Sequence, residues 1–179
     1  MPRRGGHDQL GRIVDESEDF EEFYRATYVR TLKLAVLLAH DRSRAAELTQ
    51  DAYADAFAHW TRIGTYERPD LWVRRAIVNR SVSLGRRRGS EASAMARLRG
   101  GVAPRSNDAD AGLNIGIWHL VGALPDRQAH ALALVYGMDM SISEAADVMD
   151  CSEGSVKTHL SRGRSAVASA LAGEEQHDG

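Results

Sequence analysis

The sequence has a single cysteine, Cys151, among its 179 residues. One cysteine excludes an internal disulfide and any zinc site built from several cysteines. The longest uninterrupted apolar run, Leu34 to Ala39, is six residues, far short of the roughly 20 that a membrane-spanning helix needs. The opening segment MPRRGGHDQLGR also lacks the apolar stretch of a secretion signal. We therefore expect a cytoplasmic protein with no membrane insertion.

Signatures of catalysis are missing as well. No two of the seven histidines are spaced as in a zinc site, no glycine-rich phosphate loop precedes a lysine, and no nucleophile elbow occurs. The sequence therefore predicts no catalytic residue, no metal site and no cofactor. A binding protein is favoured over an enzyme.

The net charge is only −2, but the charges are segregated along the chain. Ten arginines stand against three acids between Arg62 and Arg99, whereas six acids and no base lie between Asp15 and Glu22. Such segregation favours a polyanion on one surface, and a basic partner or plain solubility on another.

Helical periodicity dominates the chain, with no convincing alternating strand pattern. It predicts helices at about 20–39, 45–61 and 70–88, and Ser17 or Asp19 can cap the first of them. In the second helix the apolar positions expected to be buried are Ala45, Leu48, Ala52, Tyr53, Ala56, Phe57 and Trp60.

Residues 89–116 separate two helical parts. Fourteen of these 28 residues are Gly, Ala or Ser, which predicts a flexible linker with ends roughly 30 Å apart as a coil and about 90 Å when stretched. We expect an all-α protein of two small helical domains joined by this linker. The expected boundaries are a disordered tail at 1–16, domains at 17–88 and 117–172, the linker at 89–116 and a mobile tail at 173–179.

The C-terminal part has the pattern of a helix-turn-helix. Helices resume at about 117–124 and 125–136, and Gly137 can cap the end of the second. Ser141 and Glu144 form a capping-box pattern that opens a short helix. Three residues then separate this helix from the next, which is the spacing of a helix-turn-helix.

The second helix of this motif has two distinct faces. Asp150 stands at the bend, where Gly is usual, and tolerates a left-handed conformation; Ser152 is a suitable N-cap. The positions expected to face the core are Val156, Leu160, Gly163 and Val167. The opposite side, which we call the donor face, consists of Lys157, Thr158, Ser161, Arg162 and Ser165. A face that carries hydrogen-bond donors and no acidic residue is suited to contact DNA phosphates and base edges. The alternative interpretation is an ordinary solvent-exposed face of a helical hairpin.

An acidic stripe runs along the second helix of the first domain, where Glu47, Asp51 and Asp55 recur every four residues beside Gln50. Like charges at this spacing cost a few tenths of a kcal/mol per pair. The acidic stripe therefore favours a basic partner, with a solubility face as the alternative.

An aromatic and cationic face follows on the third helix. Its members, which lie within about 80° of one another, are Trp72, Arg75, Asn79, Ser83 and Arg86. Bases stack on aromatic or guanidinium planes while arginine neutralises phosphate, so this face suits single-stranded nucleic acid. A position for Trp72 at the edge of the core is the alternative.

Three segments, in order, resemble the sigma factors of bacterial RNA polymerase, specifically the short two-domain extracytoplasmic-function group. They are AAELTQDAY at 45–53, LWVRRAIVN at 71–79, and the C-terminal pair ALPDRQAHALAL and AADVMDCSEGSVKTHLSRGR. The resemblance implies binding to core polymerase, through the coiled coil of its largest subunit and its flap, and recognition of minus-10 and minus-35 promoter DNA. It also implies an anti-sigma factor as a partner.

The resemblance further implies three sets of site residues. Core polymerase would contact Glu47, Gln50, Asp51 and Asp55. The minus-10 element would be opened and read by Arg62, Tyr66, Trp72, Arg75, Asn79, Ser83 and Arg86. The minus-35 element would be read by Ser155, Lys157, Thr158, His159, Ser161 and Arg162. A helix-turn-helix repressor or a response-regulator-type DNA-binding protein is the alternative function.

Overall fold

The structure, a computed structural model, is helical in every regular element that it describes. The backbone is described for 6–39, 41–81 and 116–175, and the side chains for 16–39, 41–81 and 117–173. The all-α expectation is confirmed for these ranges. The predicted linker lies outside them, apart from Gly116. None of the helices in these ranges combines the length and apolar character needed to cross a membrane.

Four helices form the N-terminal unit. They are α1 (Gly6–Ala39), α2 (Arg42–Ala58), the short α3 (Trp60–Ile63) and α4, described over 69–81. Their buried apolar side chains belong to one cluster, in which Leu34, Ile63, Val73, Ile77 and Val78 are at most 1% exposed. Burial of this cluster, at about 25 cal/mol per Å² of apolar surface, stabilises the packing of α1 on α2 and α4.

The first helix begins earlier than predicted. Residues 6–16 are already part of α1, so the prediction of a disordered tail at 1–16 is wrong for them. Ser17 and Asp19 lie inside the helix rather than capping it. Extending an existing helix adds one hydrogen bond for each residue that is fixed, and Oγ1 of Thr61 donates to Oε2 of Glu16 at 3.2 Å, which links this part of α1 to α3.

The second helix is displaced towards the N-terminus relative to its prediction. Asp41 caps α2 by accepting a hydrogen bond from the backbone N–H of Arg44 at 2.9 Å. The helix ends at Ala58, because His59 leaves the helical path with φ −122° and ψ 22°. Phe57, predicted to be buried, is 54% exposed, since it lies on the last turn of α2. The other predicted core positions, Ala45, Leu48, Ala52, Tyr53, Ala56 and Trp60, are buried as expected.

Four helices and one π-helical turn form the C-terminal unit. They are α5 (Gly116–Gly122), α6 (Asp126–Leu132), the π turn (Ala133–Gly137), α7 (Ile142–Met149) and α8 (Glu153–Glu175). The helix predicted to end near Tyr136 is therefore regular only as far as Leu132. Because α8 continues to Glu175, the prediction of a mobile tail at 173–179 is wrong for 173–175.

Gly137 has a different role from the helix cap that the sequence predicts. A Cβ atom added there would lie 2.5 Å from Cδ1 of Leu37 on α1 and 3.1 Å from the indole of Trp118 on α5. Glycine at this position leaves the space that the side chains of Leu37 and Trp118 occupy, so α1 approaches the π turn closely. Ser81 on α4 provides a second contact, since its Oγ lies 3.0 Å from Nε2 of His130 on α6. The N-terminal and C-terminal units therefore pack against each other, which no sequence pattern predicts.

Candidate polymerase and nucleic-acid interfaces

The acidic stripe lies on the solvent side of α2. Glu47, Gln50 and Asp51 are exposed, and Asp55 is half-buried. The carboxylate of Asp55 forms an ion pair with the guanidinium of Arg80 on α4. One acid of the stripe is thus neutralised by the chain itself, while Glu47 and Asp51 remain accessible to a partner.

Tyr53 fixes the orientation of α2 against α1. Its hydroxyl donates to Oγ1 of Thr31 at 3.0 Å and lies 2.8 Å from Oγ1 of Thr27. Its ring meets that of Tyr24 edge-on, with centroids 4.8 Å apart. Burial raises the pKa of Tyr53, so the hydroxyl keeps its proton and these contacts persist at neutral pH. Since Tyr53 faces α1, the acidic stripe is turned towards solvent.

The described minus-10 residues lie on α3, in the loop after it and along α4. Arg62, Tyr66 and Asn79 are exposed, whereas Trp72 and Arg75 are half-buried. Ser83 and Arg86 lie outside the described residues. Trp72 packs against the core cluster, as the alternative interpretation of the sequence expects, but the residue is only partly buried. The described members thus include two aromatic rings, two cations and an amide.

An ionic cluster holds the N-terminal end of α4. Nε and Nη2 of Arg68 donate to the two carboxylate oxygens of Asp70 at 3.0 and 3.1 Å, and Nη2 of Arg74 lies 3.2 Å from Oδ2. Burial opposes ionisation of Asp70, but the hydrogen bond from Arg68 and the charges of both arginines outweigh it, so the pKa of Asp70 is lowered. The Arg74 side chain is only 7% exposed. Sequence reasoning missed this cluster, although Asp70 and Arg74 stand at the i, i+4 spacing of a helical ion pair.

Two further ion pairs join α4 and its preceding loop to the helix-turn-helix. Nη1 of Arg68 donates to Oε1 of Glu144 at 2.9 Å, and Nη2 of Arg75 donates to Oδ1 of Asp150 at 2.6 Å. Arg75, a predicted contact with promoter DNA, is therefore bound to an acid of the C-terminal unit. Sequence reasoning missed both pairs, and nothing local could have revealed them, because the partners are 75 and 76 residues apart.

The helix-turn-helix has the predicted caps and bend. Glu144 N–H donates to Oγ of Ser141 at 3.1 Å, and Ser141 N–H donates to Oε2 of Glu144 at 3.0 Å, which confirms the capping box. Asp150 adopts the left-handed conformation, with φ 53° and ψ 54°. Ser152 accepts from the N–H of Ser155 at 3.2 Å, as expected of an N-cap. Together these bonds fix the angle at which α8 leaves α7.

The two faces of α8 are divided as predicted. The inward positions Val156, Leu160, Gly163 and Val167 are buried. Gly163 lets α8 approach α6, since an added Cβ would lie 3.0 Å from Cδ1 of Leu132. All five members of the donor face are exposed: Lys157, Thr158, Ser161, Arg162 and Ser165. The donor face is therefore a continuous polar strip open to a partner.

Several hydroxyl and charged groups at the start of α8 already have partners. Oγ1 of Thr158 donates to the carbonyl of Gly154 at 2.9 Å, and Oγ of Ser155 lies 2.9 Å from that of Ser152. The ammonium of Lys157 is 3.8 Å from the carboxylate of Glu153. Thr158 and Ser155 would therefore contact a groove mainly through accepting oxygens or by exchanging these bonds, and Arg162 is the strongest exposed donor of the set.

His159 is half-buried at the border between the core and the donor face. Burial, followed by the positive charges of Arg127 and Arg162, lowers its pKa. The imidazole is therefore neutral at physiological pH and can both donate and accept a hydrogen bond. Arg127 also donates to the carbonyl of Met149 at 2.6 Å, which ties α6 to the end of α7.

The C-terminal unit is similar to a known protein family. Residues 116–167 match the family model described as sigma-70, region 4. A comparison with curated protein sequences found no match.

Two solved structures have a similar fold. One is the sigma factor RpoE in complex with the anti-sigma factor NepR from Bartonella quintana, with 23% identity, a TM-score of 0.63, and coverage of 85% of this chain and 98% of that one. The other is CnrH in complex with the cytosolic domain of CnrY, with 19% identity, a TM-score of 0.60, and coverage of 86% and 88%. At these identities the likeness concerns the fold, and it extends over both the N-terminal and the C-terminal units.

Proposed function

We propose that this chain, whose residues 116–167 match the model of sigma-70 region 4, is an RNA polymerase sigma factor of the extracytoplasmic-function group. It directs promoter-specific initiation by binding core polymerase and recognising the minus-10 and minus-35 elements. The observation that carries the proposal is the exposed donor face of α8 inside the segment that matches region 4.

The N-terminal unit docks on polymerase and opens DNA in this proposal. Glu47, Gln50 and Asp51 of the acidic stripe contact the coiled coil of the largest polymerase subunit. Asp55 holds α2 in position through its ion pair with Arg80 on α4. The aromatic and cationic face of α4 holds an unstacked base of the minus-10 strand, which selects sequence and helps to melt the duplex.

The C-terminal unit reads the minus-35 element through the donor face. Arg162 and Lys157 bind phosphates or a guanine edge in the major groove, and neutral His159 adjusts the preference at the border of the groove. The flap of polymerase holds this unit at the correct distance. Promoter elements about two helical turns apart are roughly 70 Å distant, which a stretched linker at 89–116 can span.

Binding to polymerase combines two weak DNA contacts into one strong bivalent interaction. Each unit alone buries little surface on DNA, but once both are held on the same scaffold, binding of the second becomes intramolecular. The chain itself needs no catalytic group, because the chemistry of RNA synthesis belongs to polymerase. This role also places the protein in the cytoplasm, where polymerase works.

The proposal also includes an anti-sigma factor as a binding partner of this chain. One solved protein of similar fold was crystallised with an anti-sigma factor and the other with the cytosolic domain of CnrY. We extend that kind of partner to this chain, since both relatives span the N-terminal and the C-terminal units. A repressor or response-regulator-type protein is the competing function, and it would leave the exposed acids of α2 without a partner.

The deciding experiment is association with purified core RNA polymerase, followed by run-off transcription from promoters selected in vitro. A sigma factor should co-elute with core in gel filtration and produce defined transcripts only when both are present. A repressor would instead bind duplex DNA without polymerase and as a dimer. Failure to associate with core, with DNA binding retained, would favour the repressor.

A further inference from the structure

We propose that the chain inhibits itself by closing, with Glu144 and Asp150 of the helix-turn-helix occupying Arg68 and Arg75 beside the DNA-facing surface of α4. Promoter phosphates compete for the same guanidinium groups and open the closed form. This inference rests on the proposed function for its DNA ligand, but the closed form itself is a property of the chain.

The contacts have the chemistry of a phosphate substitute. A carboxylate, like a phosphate, accepts charge-assisted hydrogen bonds from a guanidinium through anionic oxygens. The Asp150 carboxylate is 2.6 Å from Arg75, and the Glu144 carboxylate is 2.9 Å from Arg68. While Asp150 is bound, Arg75 cannot place the same nitrogen on a DNA phosphate.

Both acids are held in place by the local structure of the motif. Glu144 belongs to the capping box of α7, where the N–H of Ser141 and the guanidinium of Arg68 lower its pKa to about 2, so it is ionised at physiological pH. Asp150 occupies the left-handed bend between α7 and α8. The bend tolerates Gly, Asn or Asp, but of these only Asp supplies the charge that Arg75 binds.

The ion pairs are weak enough to be reversible. Arg68 and Glu144 are 47% and 31% exposed, and Arg75 and Asp150 are 41% and 83% exposed. Exposed pairs of this kind contribute little each and are screened by salt. Contacts of Leu37 with Gly137 and of Ser81 with His130 support the closed form. A polyanion that binds several arginines at once can therefore displace the two carboxylates.

The test variant is Glu144→Gln combined with Asp150→Asn in the full chain. Gln can still accept from the N–H of Ser141, and Asn tolerates the left-handed bend. The two substitutions therefore remove the charges and keep the caps. The matched control is Asp147→Asn with Asp139→Asn, which also removes one acid of α7 and one acid in a left-handed conformation, φ 54° at Asp139. Both control residues are exposed, and neither forms an ion pair within the described residues.

Small-angle X-ray scattering and DNA binding report the outcome. At low salt the test variant should have a larger radius of gyration than the wild type and the control. It should also bind a short fluorescein-labelled single-stranded DNA, without polymerase, about threefold to tenfold more tightly, since two exposed ion pairs change an equilibrium constant by roughly this factor. In about 1 M salt, where the Debye length is near 3 Å, the radius of the wild type should approach that of the test variant.

The proposal is overturned if the test variant has the radius of the wild type. It is also overturned if the control gains as much DNA affinity as the test variant, because the gain would then come from net charge alone. Association with core polymerase is measured on the same three proteins. If none associates while the test variant still expands, the sigma-factor proposal fails and the closed form stands.

Discussion

The carboxylate of Asp55 on α2 binds the guanidinium of Arg80 on α4, so the third acid of the acidic stripe joins two helices of the same unit. Asp51 and Glu47 lie about one and two turns earlier on the same helix, respectively, and both are exposed. Three residues with the same spacing and the same charge thus have two different roles. Asp55 supports the fold, and the other two are free to bind a basic partner.

Reversing the charge of Asp51 should weaken binding to core polymerase. Asp51→Arg is expected to lower the affinity by about tenfold or more, because it places like charge against the basic surface we assign to polymerase. Circular dichroism should show an unchanged melting temperature, since Asp51 is exposed. Glu22→Arg on the exposed side of α1 is the matched control and should bind normally. An affinity for core equal to that of the wild type would remove the role assigned to Asp51.

Truncating Arg162 should weaken recognition of the minus-35 element. Arg162→Ala is expected to cost about 1–3 kcal/mol of binding to promoter DNA if the guanidinium reads a base pair, and to reduce the salt slope by about one if it binds phosphate. Footprinting of the polymerase complex shows whether upstream protection is lost. Arg164→Ala is the control, because Arg164 donates instead to the hydroxyl of Tyr136 at 3.2 Å. Intact upstream protection with Arg162→Ala would contradict the recognition-helix assignment.

The parts of the fold predicted from the sequence are those that local chemistry determines. The capping box at Ser141 and the bend at Asp150 depend on residues within one turn, so their patterns predict them correctly. The buried and exposed sides of α8 also follow from its helical period. Helix ends were less predictable: α1 starts at Gly6 and α2 ends at Ala58, each several residues from its expected boundary, and a periodic apolar pattern does not define the terminal residue of a helix.

The parts that could not be predicted depend on distant residues. The ion pairs of Arg75 with Asp150 and of Asp55 with Arg80 join helices that are far apart in the sequence. An arginine on a cationic face looks the same in the sequence whether its partner is DNA or another helix. Gly137 shows the same limit, since its spacing suggests a helix cap, while its actual role is to admit Leu37 from α1.

Gly163 should be intolerant of a larger side chain. Gly163→Val is expected to destabilise the C-terminal unit by about 1–3 kcal/mol, because its Cβ would lie 3.0 Å from Leu132 and 3.5 Å from Gln128 and the branched methyls require more space. Gly154→Ala, where an added Cβ would lie 3.8 Å from Oγ of Ser152, should leave stability unchanged or raise it by up to about 1 kcal/mol. Urea unfolding measures the stability of both variants. A Gly163→Val variant as stable as the Gly154→Ala variant would contradict the close packing of α8 on α6.

The stability of the protein should depend on pH through His130. The hydroxyl of Ser81 donates to the carbonyl of Val78 at 2.8 Å, so Nε2 of His130, 3.0 Å away, is the donor in their contact. Nδ1 is buried and has no hydrogen-bond partner among the described residues. Burial, followed by the charge of Arg127, lowers the pKa of His130 to about 4. A proton on Nδ1 would thus create an unsatisfied buried charge.

The direction in which stability changes with pH follows from the different proton affinities of His130 in the folded and unfolded states. Between pH 6.5 and 4 the unfolded chain protonates this imidazole and the folded protein does not, so stability falls as the pH falls and levels off below pH 4. The full shift corresponds to up to about 3 kcal/mol. Urea unfolding of the wild type from pH 7 to pH 4.5 should show most of this loss, and His130→Gln, which keeps a donor towards Ser81, should flatten the profile. His159→Gln is the control, because His159 is only half-buried and its removal should change the slope less. A His130→Gln profile that parallels the wild type would show that another group causes the pH dependence.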